Sequence, residues 1–202
     1  TYDGLFRLEE DRVNPLHEIE ATGTGTGQHW YGDFFKFARE KTYDDLFVLK
    51  GLQTNEPVTI RPSIALRARP SSCIFLDIAG QTWSSQTVPG VPIEDQNEIY
   101  NDLAPNSSLN GTVNLTEENL DVLLRYPHPG GSDQSSGWLD FIQARARLAL
   151  RVEEDQTFFR DTRSMEQSTT TFVVDNASND VSIWDISNPL QPQEQATTIS
   201  GN

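Results

Sequence analysis

The chain has 202 residues, enough for one large domain or two small ones and for a sizeable core without disulfides. Its 30 acidic and 15 basic residues leave a formal net charge of -15, a field that repels nucleic acid and anionic membranes and excludes both as primary partners. The single cysteine, Cys73, excludes an internal disulfide framework, and no run approaches the ~20 apolar residues of a membrane-spanning helix, so membrane insertion is excluded too.

A hydrophobic fraction of 36%, low for a globular chain, fits a β-sandwich with long polar loops. The chain opens on Thr1 rather than Met and carries no signal peptide pattern, so the expectation is a mature fragment or an excised piece of a longer protein.

In chain order, residues 1–26 read as a leading strand carrying Leu5, Phe6 and Leu8, followed by a loop that ends in the low-complexity stretch Thr22-Gly-Thr-Gly-Thr-Gly27. Residues 42–50 form a strand with Phe47 and Leu49 on one face. Residues 58–69 form another, with Ile60, Ile64, Leu66 and Ala68 alternating with Arg61, Arg67 and Arg69. Pro62 inside that run implies an edge or a bulge. A short strand over 73–79 turns through Gly80 and Gln81 into a hairpin partner over 82–88. Residues 93–107 are an acidic loop. Residues 109–116 and 121–126 are strand-like around a turn, and residues 127–137 are a polar loop.

The strongest pattern lies at 137–152. Ile142, Ala144, Ala146, Leu148 and Leu150 occupy every second position, with Gln143, Arg145, Arg147 and Arg151 between them. Side chains of a strand alternate between faces, so one face is apolar and the other basic, as in a half-buried antiparallel sheet. Ala, Leu and Arg also favour helix, but period-two matches outnumber helical ones. Three further strands are expected over 156–160, 169–174 and 181–185. The expected whole is an all-β chain: an antiparallel, jelly-roll-like β-sandwich of about ten strands over 27–187, with a Pro- and Gln-rich linker toward a missing domain over 188–202.

No catalytic cluster emerges. Cys73 opens an apolar strand, where a thiol packs as a small hydrophobe, and His17, His29 and His128 stand apart in the sequence without metal-ligand spacing. The Gly-Thr repeat lacks the Lys-Ser/Thr of a phosphate loop. Asp95, Asn97 and Glu98 are candidate calcium ligands in the densest oxygen-rich loop, weighed against a solvated loop, and calcium is the one cofactor considered. Trp30, Tyr31, Trp83, Trp138 and Trp184 are candidates for a sugar-stacking platform, with core filling the preferred role; Trp83 is the one carried forward as a candidate ligand contact. Arg145, Arg147 and Arg151 are candidates for holding a carboxylate or phosphate partner, weighed against a solvated or internally paired face. Asn106, Asn110, Asn114 and Asn176 begin N-glycosylation triplets and hint at an extracellular setting.

Three motifs, in order, carry a resemblance. Gly27-Gln-His-Trp-Tyr-Gly-Asp33, Gly137-Trp-Leu-Asp-Phe-Ile142 and Ile183-Trp-Asp-Ile-Ser-Asn-Pro-Leu-Gln-Pro192 resemble segments ahead of the peptidase domain in PorU-type sortases of type IX secretion, gingipain-like cysteine peptidases of Bacteroidota. The resemblance covers about residues 14–195. It implies a non-catalytic region upstream of a His-Cys peptidase domain, at the outer-membrane surface facing out. The peptidase domain of the same polypeptide would be its partner, with a secreted cargo protein or a glycan as further partners. No residue here matches the family's dyad, so the chain itself is not expected to be an enzyme. The rival reading is a carbohydrate-binding module.

Overall fold

The computed structural model describes residues 1–13, 30–91, 104–127, 129–131 and 134–199. The described chain is all-β, two antiparallel sheets stacked as a sandwich. One sheet is built on strand β10 (Ser136–Leu148). On one side β10 pairs with β1 (Tyr2–Glu9) and, at its start, with β2 (Phe34–Phe35). On the other side it pairs with β4 (Val58–Arg67), whose far edge takes β7 (Asn106–Ser108) and β8 (Gly111–Val113). The second sheet runs in the order β3 (Glu40–Val48), β9 (Asn119–Arg125), β5 (Phe75–Ile78) and β6 (Gln81–Ser84).

The core lies between the sheets. Ile60, Ile64 and Leu66 of β4 and Ile142, Ala144, Ala146 and Leu148 of β10 face Leu76, Ile78, Leu120, Val122 and Leu124 of the other layer. Each fully buried Leu or Ile contributes about 1.5–3 kcal/mol from removed apolar surface. The period-two pattern of β10 is therefore the pattern of a sheet with one face in the core, as the sequence predicts.

The strand is shorter than its sequence suggests, and it is not continuous. It ends at Leu148 rather than Val152, although Leu150 stays in the core. Its register against β4 shifts between Leu139 and Phe141. Before the shift, Leu139 points inward and a Cβ on Gly137 would meet Tyr126 at 3.1 Å. After it, Ile142 points inward. Asp140 and Phe141 therefore both lie on the outer face, as a β-bulge requires. Ser63 Oγ donates to Asp140 Oδ2 at 3.0 Å across this bulge.

Of the two places expected for Pro62, an edge or a bulge, it takes the second: it pairs with Ile142 directly beside the β-bulge in the β10–β4 ladder. β4 is central, not an edge. Its pairing with β8 ends at Ile60 and its pairing with β7 begins at Ser63, so Pro62 falls in the gap between two ladders, where no N–H is needed. The leading strand belongs to the sheet itself, paired with β10 over its whole length.

The larger difference lies in residues 151–199. None of the runs 156–160 and 169–174 is a strand. Of 181–185 only Trp184–Asp185 (β11) pairs, with Gln193–Glu194 (β12). A strand needs a partner edge as well as an apolar face. Here the Asp3 N–H donates to the Arg160 carbonyl at 2.8 Å, and Arg151 forms a lone parallel bridge with Asp175. The rest of the described segment is irregular apart from one 3-10 turn (Thr162–Glu166), which Asp161 and Thr162 tie to the sandwich.

The β5–β6 hairpin turns on Ala79 and Gly80, one residue earlier than the sequence suggests, with φ of 47° and 75°. Two positive φ values make a type I′ turn, which suits the right-handed strand twist but strains an alanine. Ala79→Asn is expected to raise stability by about 0.5 kcal/mol, since Asn tolerates this region; urea unfolding of the two proteins measures it.

Candidate functional site

The outer face of the β10 sheet carries the polar chemistry. At its top, Tyr31, Ala65 and Trp138 form a small apolar cluster, with Phe34 stacked on Trp138 at 5.3 Å between ring centres. Two of the three sequence motifs thus meet in space. Asp33, at the end of the first motif, accepts hydrogen bonds from Lys41 Nζ and the Tyr43 hydroxyl, each at 2.7 Å. Burial pushes the Asp33 carboxyl up, but these bonds and the charges of Lys41 and Arg12 hold it below its ordinary value. Burial, together with Asp33, raises the Tyr43 phenol. This group ties β3 to the loop entering β2 and has the character of a brace.

Below it the register sets side chains in rows. Glu9, Phe141 and Ser63 form one row, Arg7, Gln143 and Arg61 the next, and Leu5, Arg145 and Thr59 the one after. The Arg7 guanidinium lies 3.7 Å from the Phe141 ring centre and that of Arg61 5.6 Å from it. Arg7 Nε also meets Glu9 at 2.6 Å. Arg61 and Arg145 are exposed and have no ion pair among the described residues.

The three arginines singled out in the sequence part company. Arg145 stands on this open face. Arg147 is buried, held by Asp161 Oδ1 at 2.6 Å, Asp3 Oδ1 at 2.7 Å and Thr1 Oγ1 at 2.7 Å. Arg151 pairs with Glu153 next to it in the chain. Asp3 also accepts from the Thr162 N–H and hydroxyl at 2.7 Å each. Burial pushes the Asp3 carboxyl up, but the bonds from Thr162 and Arg147 and the Arg147 charge hold it at about 2. The Asp161 bond raises Arg147, and the Arg147 bond lowers Asp161. One guanidinium thereby joins β1, β10 and the C-terminal segment.

Trp83 is half-buried beside the core, and a Cβ on Gly111 would lie 3.1 Å from its indole. Trp138 and Tyr31 are buried, whereas Trp30 and Trp184 are 45% and 51% exposed, so the tryptophans do not share one role. Cys73 is half-buried at the entry to β5. Asp95, Asn97 and Glu98 lie outside the described residues, as do His17, His29, His128 and the Gly-Thr stretch. Among the described residues no group of three or more His, Cys, Asp or Glu could hold a metal ion.

Sequence reasoning overlooked two features. Arg7 and Arg61 join Arg145 only through strand pairing; the alternation of Arg61 in its own strand was the available signal. The second is the C-terminal segment, where a cleft of ≈ 180 Å³ is lined by Leu150, Val152, Phe158, Phe159, Val174 and Trp184 among others. Phe158 and Ile186 of its lining are exposed by half or more, as are Met165, Val173 and Leu190 elsewhere in the segment.

No family model and no curated protein matches the sequence. Among solved structures, this chain is similar to dimeric latent PorU from Porphyromonas gingivalis, with a TM-score of 0.73 at 18% identity. The likeness covers 100% of this chain and 18% of that one, so this chain spans under a fifth of that protein's length. The β-sandwich fold therefore resembles that of a region of PorU. Two carbohydrate-binding modules are more distant. One is the CBM36-1 domain of a multidomain xylanase from the hindgut metagenome of Trinervitermes trinervoides (TM-score 0.36, 10% identity, 70% of this chain and 95% of that one). The other is CBM36 in complex with calcium and xylotriose (TM-score 0.32, 14% identity, 71% and 88%). At those scores neither bears on ligand or metal.

The Arg147 cluster generates a test. Removing one member of a buried ion cluster strands the others, so Arg147→Ala is expected to cost about 3 kcal/mol in urea unfolding. Arg163→Ala, which breaks an exposed pair with Glu56, leaves stability nearly unchanged. Asp3 has its carboxyl lowered by folding from 3.8 to about 2, so its contribution is complete above the unfolded value and is lost as pH falls from about 4 toward 2. Asp3→Asn is expected to flatten the fall in unfolding midpoint across that window.

Proposed function

We propose that this chain is a non-catalytic accessory β-sandwich of a larger surface peptidase of the PorU type, working outside the cell. Its C-terminal segment seats against the peptidase domain of the same polypeptide. The observation that carries this reading is the likeness over the whole of this chain to a region making up 18% of a much longer one. The order of the three motifs supports it. So does the chemistry of residues 156–190: Trp184, Ile186 and Phe158 rim an apolar cleft on an otherwise acidic surface, and an exposed apolar patch of this kind marks an interaction site. In this reading the sandwich is the rigid part, the Arg147 cluster fixes the C-terminal segment to it, and that segment presents its apolar side to the neighbouring domain. Cargo docking is a further role that the same rigid support permits.

Hydrogen exchange on the 202-residue chain and on the longer polypeptide that carries it tests the seating. Amides over 156–186 are expected to exchange at least about tenfold more slowly in the longer polypeptide, as burial of an interface requires. Equal rates overturn the docking role. The chain alone is expected to cleave no peptide bond with or without reductant. A thiol-dependent cleavage that disappears in Cys73→Ala overturns the non-catalytic reading.

A further inference from the structure

We propose that the outer face of the β10 sheet, at Arg7, Gln143, Arg61 and Arg145, is a docking surface for an extended acidic polypeptide segment. The site is independent of the reading of the C-terminal segment. Its residues come from three adjacent strands placed in register: Arg7 and Arg61 flank Gln143 in one row, and Arg145 stands one row along β10.

Charge is the first reason. The chain has twice as many carboxylates as basic groups, and they engage Arg7, Arg125, Arg147, Arg151 and Arg163. Arg61 and Arg145 remain exposed with no carboxylate partner among the described residues. The Arg61 guanidinium also has a neighbour that restrains it: it lies 5.6 Å from the Phe141 ring centre, and Arg7, from the strand on the other side of β10, lies 3.7 Å from the same ring. A guanidinium that is positioned beforehand loses less freedom on taking up a carboxylate in a bidentate pair. The half-buried Gln143 amide between them adds donors at the same level.

Spacing selects the partner. Rows of a sheet are about 6.8 Å apart along the strand, two residues of extended chain. A segment lying along β10 with carboxylates at positions i and i+2 sets one over the Arg61–Gln143 row and the other at Arg145. A long polyanion, whether nucleic acid or a sulfated glycan, would overrun this patch onto a protein of net charge -15. A short acidic peptide ends before that repulsion begins, because charges beyond about 8 Å are largely screened at physiological ionic strength.

The test is fluorescence anisotropy of a labelled octapeptide with Asp at two alternate positions in a Ser/Thr background, titrated with the 202-residue chain. Binding is expected to weaken as salt rises from about 50 to about 150 mM. It should fall at least about tenfold in the Arg61→Gln, Arg145→Gln double variant. Both side chains are exposed and have no ion pair among the described residues, so that variant is expected to keep nearly the parent melting temperature. Arg61→Lys with Arg145→Lys, which keeps the charges and removes the forks, is expected to lose only part of the affinity. Trp184→Ser, on the C-terminal segment, is expected to lose none. Equal affinity of parent and Gln double variant overturns the proposal. So does equal binding of the peptide with Asn in place of Asp, or a sulfated oligosaccharide that binds the same two arginines more tightly.

Discussion

The register shift at Asp140 is the constraint on which the rest of the sheet depends. β10 is the longest strand and pairs along both sides, with β1 and β2 on one and β4 on the other. Its first residues must place Gly137 and Leu139 inward against Tyr126 and Leu66, and its later residues must place Ile142, Ala144 and Ala146 inward. The two sets differ in parity, and only one extra residue between them reconciles both with a single core. The bulge also decides what the outer face offers. It turns Trp138 out into the cluster with Tyr31, sets Phe141 beneath Arg7 and Arg61, and leaves Asp140 buried beside Ser63. A strand of unbroken alternation would have placed either Trp138 in the core or Ile142 in water.

The C-terminal segment is attached by a different kind of force. It adds no full strand to either sheet, so it draws little from ladder hydrogen bonds. Its buried attachment runs through Asp161 and Thr162 to Arg147 and Asp3, beside the Asp3 N–H bond to the Arg160 carbonyl and the exposed Arg163–Glu56 pair. The attraction within such a buried ion group is offset in large part by the cost of drying it. Its distinctive contribution is alignment. Only one placement of the segment relative to β1 and β10 brings two carboxylates, two threonines and one guanidinium together, whereas apolar contacts would tolerate sliding.

Much of the fold was legible because the sandwich has a simple rule: one face of each strand is in the core. The alternation of Ile142 to Leu148 and of Ile60 to Leu66 follows directly. The bulge was not legible, because Trp138, Leu139, Phe141 and Ile142 are all apolar and such a run fits either parity. Of the three strands expected after residue 155, two are absent and the third is reduced to Trp184–Asp185, for a related reason. Alternating apolar residues report a surface to be covered, not the presence of a free edge to pair with, and Phe158 and Val173 remain exposed. Among the site residues, the basic stripe read from one strand mixed two environments. Arg147 faces the same way as Arg145, but Asp3 and Asp161 arrive from distant parts of the sequence to bury it. Arg7 and Arg61 reach Arg145 by the same long-range pairing, which no local pattern encodes.

That division among arginines bears on how charge should be read in an acidic protein. Net charge sets the potential at a distance, yet that potential decays within a Debye length of about 8 Å in physiological salt. What a ligand meets at contact is the local inventory. Where the fold supplies a carboxylate, as to Arg147 or Arg125, the guanidinium becomes part of the structure. Where it supplies an aromatic ring and an amide instead, as to Arg61 beside Phe141 and Gln143, the guanidinium is positioned without being neutralised. A chain with carboxylates in twofold excess that leaves Arg61 and Arg145 without a carboxylate partner among the described residues of one sheet face has a local charge there unlike that of the molecule as a whole. Such a surface discriminates by length as well as by charge: a short acidic segment meets only the patch, and a long polyanion meets the whole protein.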